Sequence, residues 1–176
     1  MMKRRWTRMW LTLVVAALLG ISMATTPVSA AGGTFTAAYS GGFTLSNCPL
    51  LGILRTACKL NLNASGTAKF LGPSRETGNF VANLNLLPLQ CGSMTGTTKL
   101  TSLATPTNSV TAVLNGQVCA PLLGGLLGGT APFTLNYRIV GGTGAFSNAR
   151  GQGTVKGTLQ LHLLSGNGQY SDHWSG

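Results

Sequence analysis

Acidic side chains are almost absent: Glu76 and Asp172 are the only two in 176 residues, beside two histidines. General acid–base hydrolysis draws on two positioned carboxylates or a histidine pair, and this inventory leaves little to build one from. No G-x-S-x-G nucleophile elbow is present. No C-x-x-C pair occurs, and His162 and His173 lie far from any cysteine in sequence, so the usual zinc spacings are missing. Charged residues make up only 8% of the chain, too few for a charge-rich disordered protein. This inventory points away from an enzyme, and no catalytic residue, metal or cofactor is expected.

What is present begins with a targeting pattern. Lys3, Arg4, Arg5 and Arg8 precede a short apolar run from Leu11 to Ile21, and Val28-Ser29-Ala30 offers small residues before a cleavage point. A retained anchor would need roughly 20 apolar residues, about twice this run. Residues 1–30 are therefore expected to be a cleaved secretory signal, leaving no transmembrane anchor and a secreted, extracellular protein. The organisation that follows is a domain over 31–165 and a flexible C-terminal tail over 166–176. Four of the twelve Lys and Arg lie in the signal, so eight cations face two acids in the remainder. They are scattered singly, without the clustered basic patch that nucleic-acid binding uses, so nucleic acid is not an expected partner. Asn63-Ala64-Ser65 is a formal glycosylation sequon, meaningful only in a eukaryotic secretory pathway.

All four cysteines, Cys48, Cys58, Cys91 and Cys119, follow the signal. An even number in an exported chain reads as two disulfides. Between them, period-two alternation recurs: Leu60 and Leu62 against Lys59, Asn61 and Asn63; Phe80 and Ala82 onward; Val110, Ala112 and Leu114; Phe133, Leu135, Tyr137 and Ile139; Val155 to Leu163. Shorter strands fit Thr34–Tyr39, Thr67–Leu71 and Met94–Leu100. About eight strands with one polar and one apolar face predict an all-β antiparallel barrel or sandwich. Two apolar loops, 49–54 and 121–129, interrupt the pattern. They are expected either to plug the ends of the domain or to line a ligand entrance.

From Tyr137 the chain reads YRIVGGTGAFSNARGQGTVKG. Glycines allow a tight turn, Thr143 is placed to cap one helical turn, Phe146 and Ala149 are spaced to face inward, and Gly151 is placed to end it. The segment resembles the allene oxide cyclase and dirigent barrel superfamily, in a bacterial-type secreted form, through Gly141, Gly142, Thr143, Gly144, Phe146, Ala149, Arg150 and Gly151. The resemblance implies an eight-stranded up-and-down barrel with an apolar interior, frequently a homotrimer, guiding a reactive small molecule with the help of interior acids. On that assumed topology, partners sharing one end of the barrel are Cys48–Cys58 and Cys91–Cys119, with the second pair at the end opposite the first.

Three functions remain open. One is a secreted barrel that binds an apolar small molecule or lipid without covalent catalysis. Another is a structural or interaction protein of the cell envelope with a filled barrel. The third is a dirigent- or cyclase-like guide of a small-molecule reaction, the one enzyme class with family support.

Overall fold

The computed structural model describes residues 33–48, 55–85, 91–119, 129–162 and 165–176. The signal segment, the apolar loops 49–54 and 121–128, and Leu163 lie outside the described residues. The alternating segments form eight strands: β1 (Thr36–Ser46), β2 (Arg55–Ala68), β3 (Gly72–Asn85), β4 (Cys91–Ser102), β5 (Ser109–Cys119), β6 (Gly129–Thr143), β7 (Gly151–His162) and β8 (Asn167–Ser175). Each pairs antiparallel with its neighbour in sequence, and β8 closes on β1, giving the expected up-and-down barrel. Closure leaves no free strand edge among the described strands.

Inward positions supply one continuous core that includes Phe43, Leu60, Phe80, Met94, Leu114, Phe133, Leu135, Leu159 and Leu161. Outward positions are mostly Thr, Asn, Ser and Gln. Large inward rings fit because the neighbouring inward position is often glycine. The Phe80 ring lies over Gly96, where an added Cβ would collide with that ring and with the Asn79 carbonyl. The Phe43 ring covers Gly168 in the same way.

The strand count agrees with expectation, but two assignments cancel to make it so. Thr67–Leu71 is not a separate strand: Thr67 and Ala68 end β2, and residues 69–71 turn into β3. The C-terminal residues are not a tail. β8 pairs along its length with both β1 and β7. Shifting the strand boundaries also moves the cysteines. β1 ends just before Cys48 and β2 begins before Cys58, while β4 begins at Cys91 and β5 ends at Cys119. All four therefore lie at one end of the barrel, here the disulfide end, so the expected placement of Cys91 and Cys119 at the opposite end is corrected. The pairing itself is as expected, Cys48–Cys58 and Cys91–Cys119, with Cα separations of 4.6 and 4.0 Å. Each bridge is worth about 2–4 kcal/mol, and two disulfides are compatible with an extracellular protein.

At the other end, β6 runs through Gly141 and Gly142 as strand, and one 3-10 turn (Gly144–Phe146) leads toward β7. Gly144 alone of the motif glycines has positive φ, +60°. Thr143 makes no side-chain cap. Its hydroxyl instead donates to the Thr107 carbonyl at 2.6 Å and sits 2.8 Å from Ser109 Oγ. The Ala145 N–H donates to Asn108 Oδ1 at 3.1 Å. The motif is thus latched to the β4–β5 connection. Phe146 and Ala149 pack against the core from its rim, Arg150 is exposed, and Gly151 opens β7 without ending a helix.

Candidate functional site

Both acids of the chain are inside the barrel. Glu76 on β3 is 0% exposed and Asp172 on β8 is 1% exposed. Period two places them there: Ser74, Glu76, Phe80 and Ala82 share the inner face of β3, and Tyr170, Asp172 and Trp174 share that of β8. The β1–β8 register sets Tyr39 directly opposite Asp172, and the β3–β4 register brings Thr98 close to Glu76. The cluster is therefore assembled from β1, β3, β4 and β8: β3 and β4 are neighbours in sequence, and closure of the barrel brings β8 against β1.

Asp172 is well supplied with donors. The Tyr39 backbone N–H donates to Oδ1 at 3.1 Å, Trp174 Nε1–H donates to Oδ2 at 2.7 Å, and the Tyr170 hydroxyl donates to Oδ2. Burial nonetheless pushes its carboxyl up to about 6, with the three donors and the charge of His173 holding it from rising further. Glu76 has less support: the Thr98 hydroxyl donates to Oε1 at 3.0 Å, and Oε2 has no partner among the described residues. Burial first, and then the neighbouring Asp172 charge, raise the Glu76 carboxyl well above the ordinary carboxylate range, against the opposing effect of the Thr98 and Tyr170 hydroxyls that face it. No cation forms an ion pair with either carboxyl among the described residues. A buried carboxyl without a cation keeps its proton, so Glu76 is the acid of the pair and Asp172 the group that ionises first.

Three tyrosines surround the pair. The Tyr39 hydroxyl lies 2.8 Å from Ser74 Oγ, which in turn donates to the Gly72 carbonyl at 3.1 Å. Burial raises the Tyr39, Tyr137 and Tyr170 hydroxyls above their ordinary value, and both carboxyls add to this at Tyr39 and Tyr170. The Tyr137 hydroxyl has no described partner. Phe35, Tyr137 and Trp174 meet at ring-centroid distances of 4.8 to 6.2 Å and close the end opposite the disulfides. Toward the disulfide end the inner wall is apolar, with Phe133 stacked on Tyr170 at 5.7 Å.

Chemically the cluster provides a carboxyl held toward its protonated form, with Oε2 unbonded among the described residues, a donor-rich carboxyl pushed up to about 6, and aromatic walls. It has no thiol and no imidazole: His162 and His173 point outward. No group of three or more metal-ligating side chains occurs among the described residues. On the outer wall, a depression of about 570 Å³ is lined by Lys59, Asn61, Asn79, Val81, Thr95 and Thr97, and converges on no reactive group.

The family-turn residues carry none of this cluster. They sit at the rim and on β6, whereas the polar interior is made by Tyr39, Ser74, Glu76, Thr98, Tyr170, Asp172 and Trp174. Sequence reading named none of these as a site. The available signal was the inner-face period of β3 continued backward from Phe80 to Glu76, and the Tyr170-Asp172-Trp174 alternation. Comparison of the chain with family models, with curated proteins and with solved structures returns no match.

Proposed function

We propose that this is a secreted barrel protein that holds a small, largely apolar molecule in its interior, oriented by one hydrogen-bond acceptor on that molecule, without covalent catalysis. The observation that supports it is Glu76: fully buried, pushed toward its protonated form by its surroundings, and with Oε2 unbonded among the described residues. A barrel stabilised only by packing gains nothing from two cation-free acids in its centre, because desolvating them is costly. Clusters of perturbed carboxyls in an enclosed space are candidates for binding or reaction. The apolar wall toward the disulfide end suits the body of such a molecule, and the Glu76 hydroxyl suits a carbonyl, ether or hydroxyl oxygen on it.

A dirigent- or cyclase-like role is the second reading, favoured by the same two carboxyls together with the family-like turn. The contiguous packing of Phe, Leu and Met favours the third, a filled barrel of the cell envelope. Native mass spectrometry of the exported, disulfide-intact protein separates these. A co-purified organic mass that is lost in Glu76→Val, with the fold retained, is the expected result. A bare protein mass, together with no uptake of apolar fluorescent probes, would leave the filled barrel standing. Turnover of the co-purified molecule would favour the second reading.

A further inference from the structure

With both acidic side chains buried, the charged side chains on the outer surface of the described residues are all cations. Lys59, Lys69, Arg75, Lys99, Arg138, Arg150 and Lys156 are all exposed, and no carboxylate side chain lies among them. Their distribution is uneven along the barrel. Lys69 lies in the β2–β3 turn, Arg75 near the start of β3, Lys99 near the end of β4, Arg138 near the end of β6 and Arg150 just before β7. All five belong to the half of the barrel away from the disulfides.

Among the described residues the two most exposed large apolar side chains are at that end: Phe70 is 50% exposed and Leu103 52% exposed, each in a connection there, whereas Val81 and Val140, at 40% and 37%, lie on the walls of β3 and β6. Phe70 and Leu103 occupy adjacent connections that are tied together. The Leu103 N–H donates to the Pro73 carbonyl at 2.9 Å, and Ser102 Oγ donates to the Leu71 carbonyl at 2.9 Å. Lys69 Nζ stands 5.4 Å from the Phe70 ring centroid. Arg75 and Lys99 are diagonal neighbours on the outer face, since Arg75 pairs Thr101 and Lys99 pairs Thr77.

We propose that this end of the barrel docks on an anionic lipid bilayer, with Phe70 and Leu103 entering the interface and Lys69, Arg75 and Lys99 contacting headgroups. A single exposed apolar residue signifies little. Two on stitched turns, with Lys69, Arg75 and Lys99 close by and no acidic side chain among them, reproduce the chemistry of an interfacial anchor, which combines buried apolar area with attraction to anionic lipid. A soluble polyanion would use the cations but has no use for the apolar pair. The surface proposal is independent of what the barrel interior holds.

The test is co-sedimentation of the purified, disulfide-intact protein with vesicles of phosphatidylcholine alone or mixed with phosphatidylglycerol. Binding is expected only to the mixed vesicles and is expected to weaken at high salt. The triple variant Lys69→Gln, Arg75→Gln, Lys99→Gln should bind on the order of 100-fold more weakly, about fivefold per cation. The double variant Phe70→Ser, Leu103→Ser should lose about tenfold. Lys156→Gln, mid-wall on β7, should stay within about fivefold of wild type. In Phe70→Trp, the new indole should shift its emission to the blue on mixed vesicles, a readout that needs no loss of function. Equal binding to neutral vesicles, or wild-type binding by either multiple variant, would overturn the proposal. So would heparin binding that is indifferent to Phe70→Ser, Leu103→Ser while vesicles are ignored, which would assign the patch to a soluble polyanion.

Discussion

Asp172 and Glu76 differ in how their oxygens are used, and this separates the effects of replacing them. Three donors converge on Asp172, so Asp172→Asn would turn an amide NH₂ toward a donor and leave buried groups unsatisfied. The expected loss is about 2–3 kcal/mol. Glu76→Gln keeps an acceptor for Thr98 and mimics the protonated acid, so its cost at low pH is expected to be small. The wild-type pH dependence follows from burial raising both carboxyls. Below the unfolded carboxyl range near 4, both states are protonated and the stabilisation is fully present. As pH rises toward about 6, the unfolded chain releases its protons while the folded barrel retains them, so stability falls. For Asp172 the fall is roughly 3 kcal/mol across that window, and Glu76 extends it to higher pH. The barrel is therefore expected to melt at higher temperature at pH 4–5 than at pH 8, and Glu76→Gln should flatten the upper part of that slope. Calorimetry across the range decides this, and a melting temperature that rises from pH 5 to pH 8 would contradict it.

Among the elements, β3 and β8 show how far local pattern reaches. β5, β6 and β7 were legible because their inward residues are Val, Leu, Tyr and Ile at every second position. On β3 the same inner face runs Ser74, Glu76, Gly78, Phe80, where a hydroxyl, an acid and a glycine replace the apolar half of the signal. On β8 it runs Gly168, Tyr170, Asp172, Trp174. The polar cluster thus erased the periodicity of the strands that carry it. The disulfide pairing survived the misplaced boundaries because removing one strand before Cys91 moves Cys91 and Cys119 to the other end together, with the same two strands, β4 and β5, between them. Glycine hides a strand in another way, by leaving room that a neighbour fills. Gly96→Val is expected to destabilise the barrel by about 2–3 kcal/mol, through collision with the Phe80 ring. A paired Phe80→Ala should recover part of the loss. Urea denaturation of the two variants measures it, and an undiminished midpoint in Gly96→Val would refute the packing described.

For the molecule as a whole, the acidic side chains are confined to the interior and the basic ones of the described residues to the wall, a segregation that composition alone did not reveal. Burial of both acids makes the surface more cationic than the formal balance of the sequence. Closure through β8 is the other whole-molecule property. Removing residues 166–176 would uncover edges on β1 and β7 together and take away Asp172 and Trp174. The truncated chain is expected to aggregate and not to give a soluble seven-stranded sheet. Size-exclusion chromatography of the truncated form reads this directly, and a soluble monomer would show that closure is dispensable.

The hydrogen bond between Tyr39 and Asp172 joins residues 133 apart, and Phe35 exchanges backbone hydrogen bonds with Gly176, the last residue. The seam of the barrel is made from the two extremes of the described chain. Hairpins such as β4–β5 can form early from local contacts, but the seam waits for the longest loop closure the chain offers. The polar interior is assembled at that seam, so it acquires its geometry last. A partly synthesised chain can have its hairpins and still lack the polar interior, which comes into being only when β8 arrives.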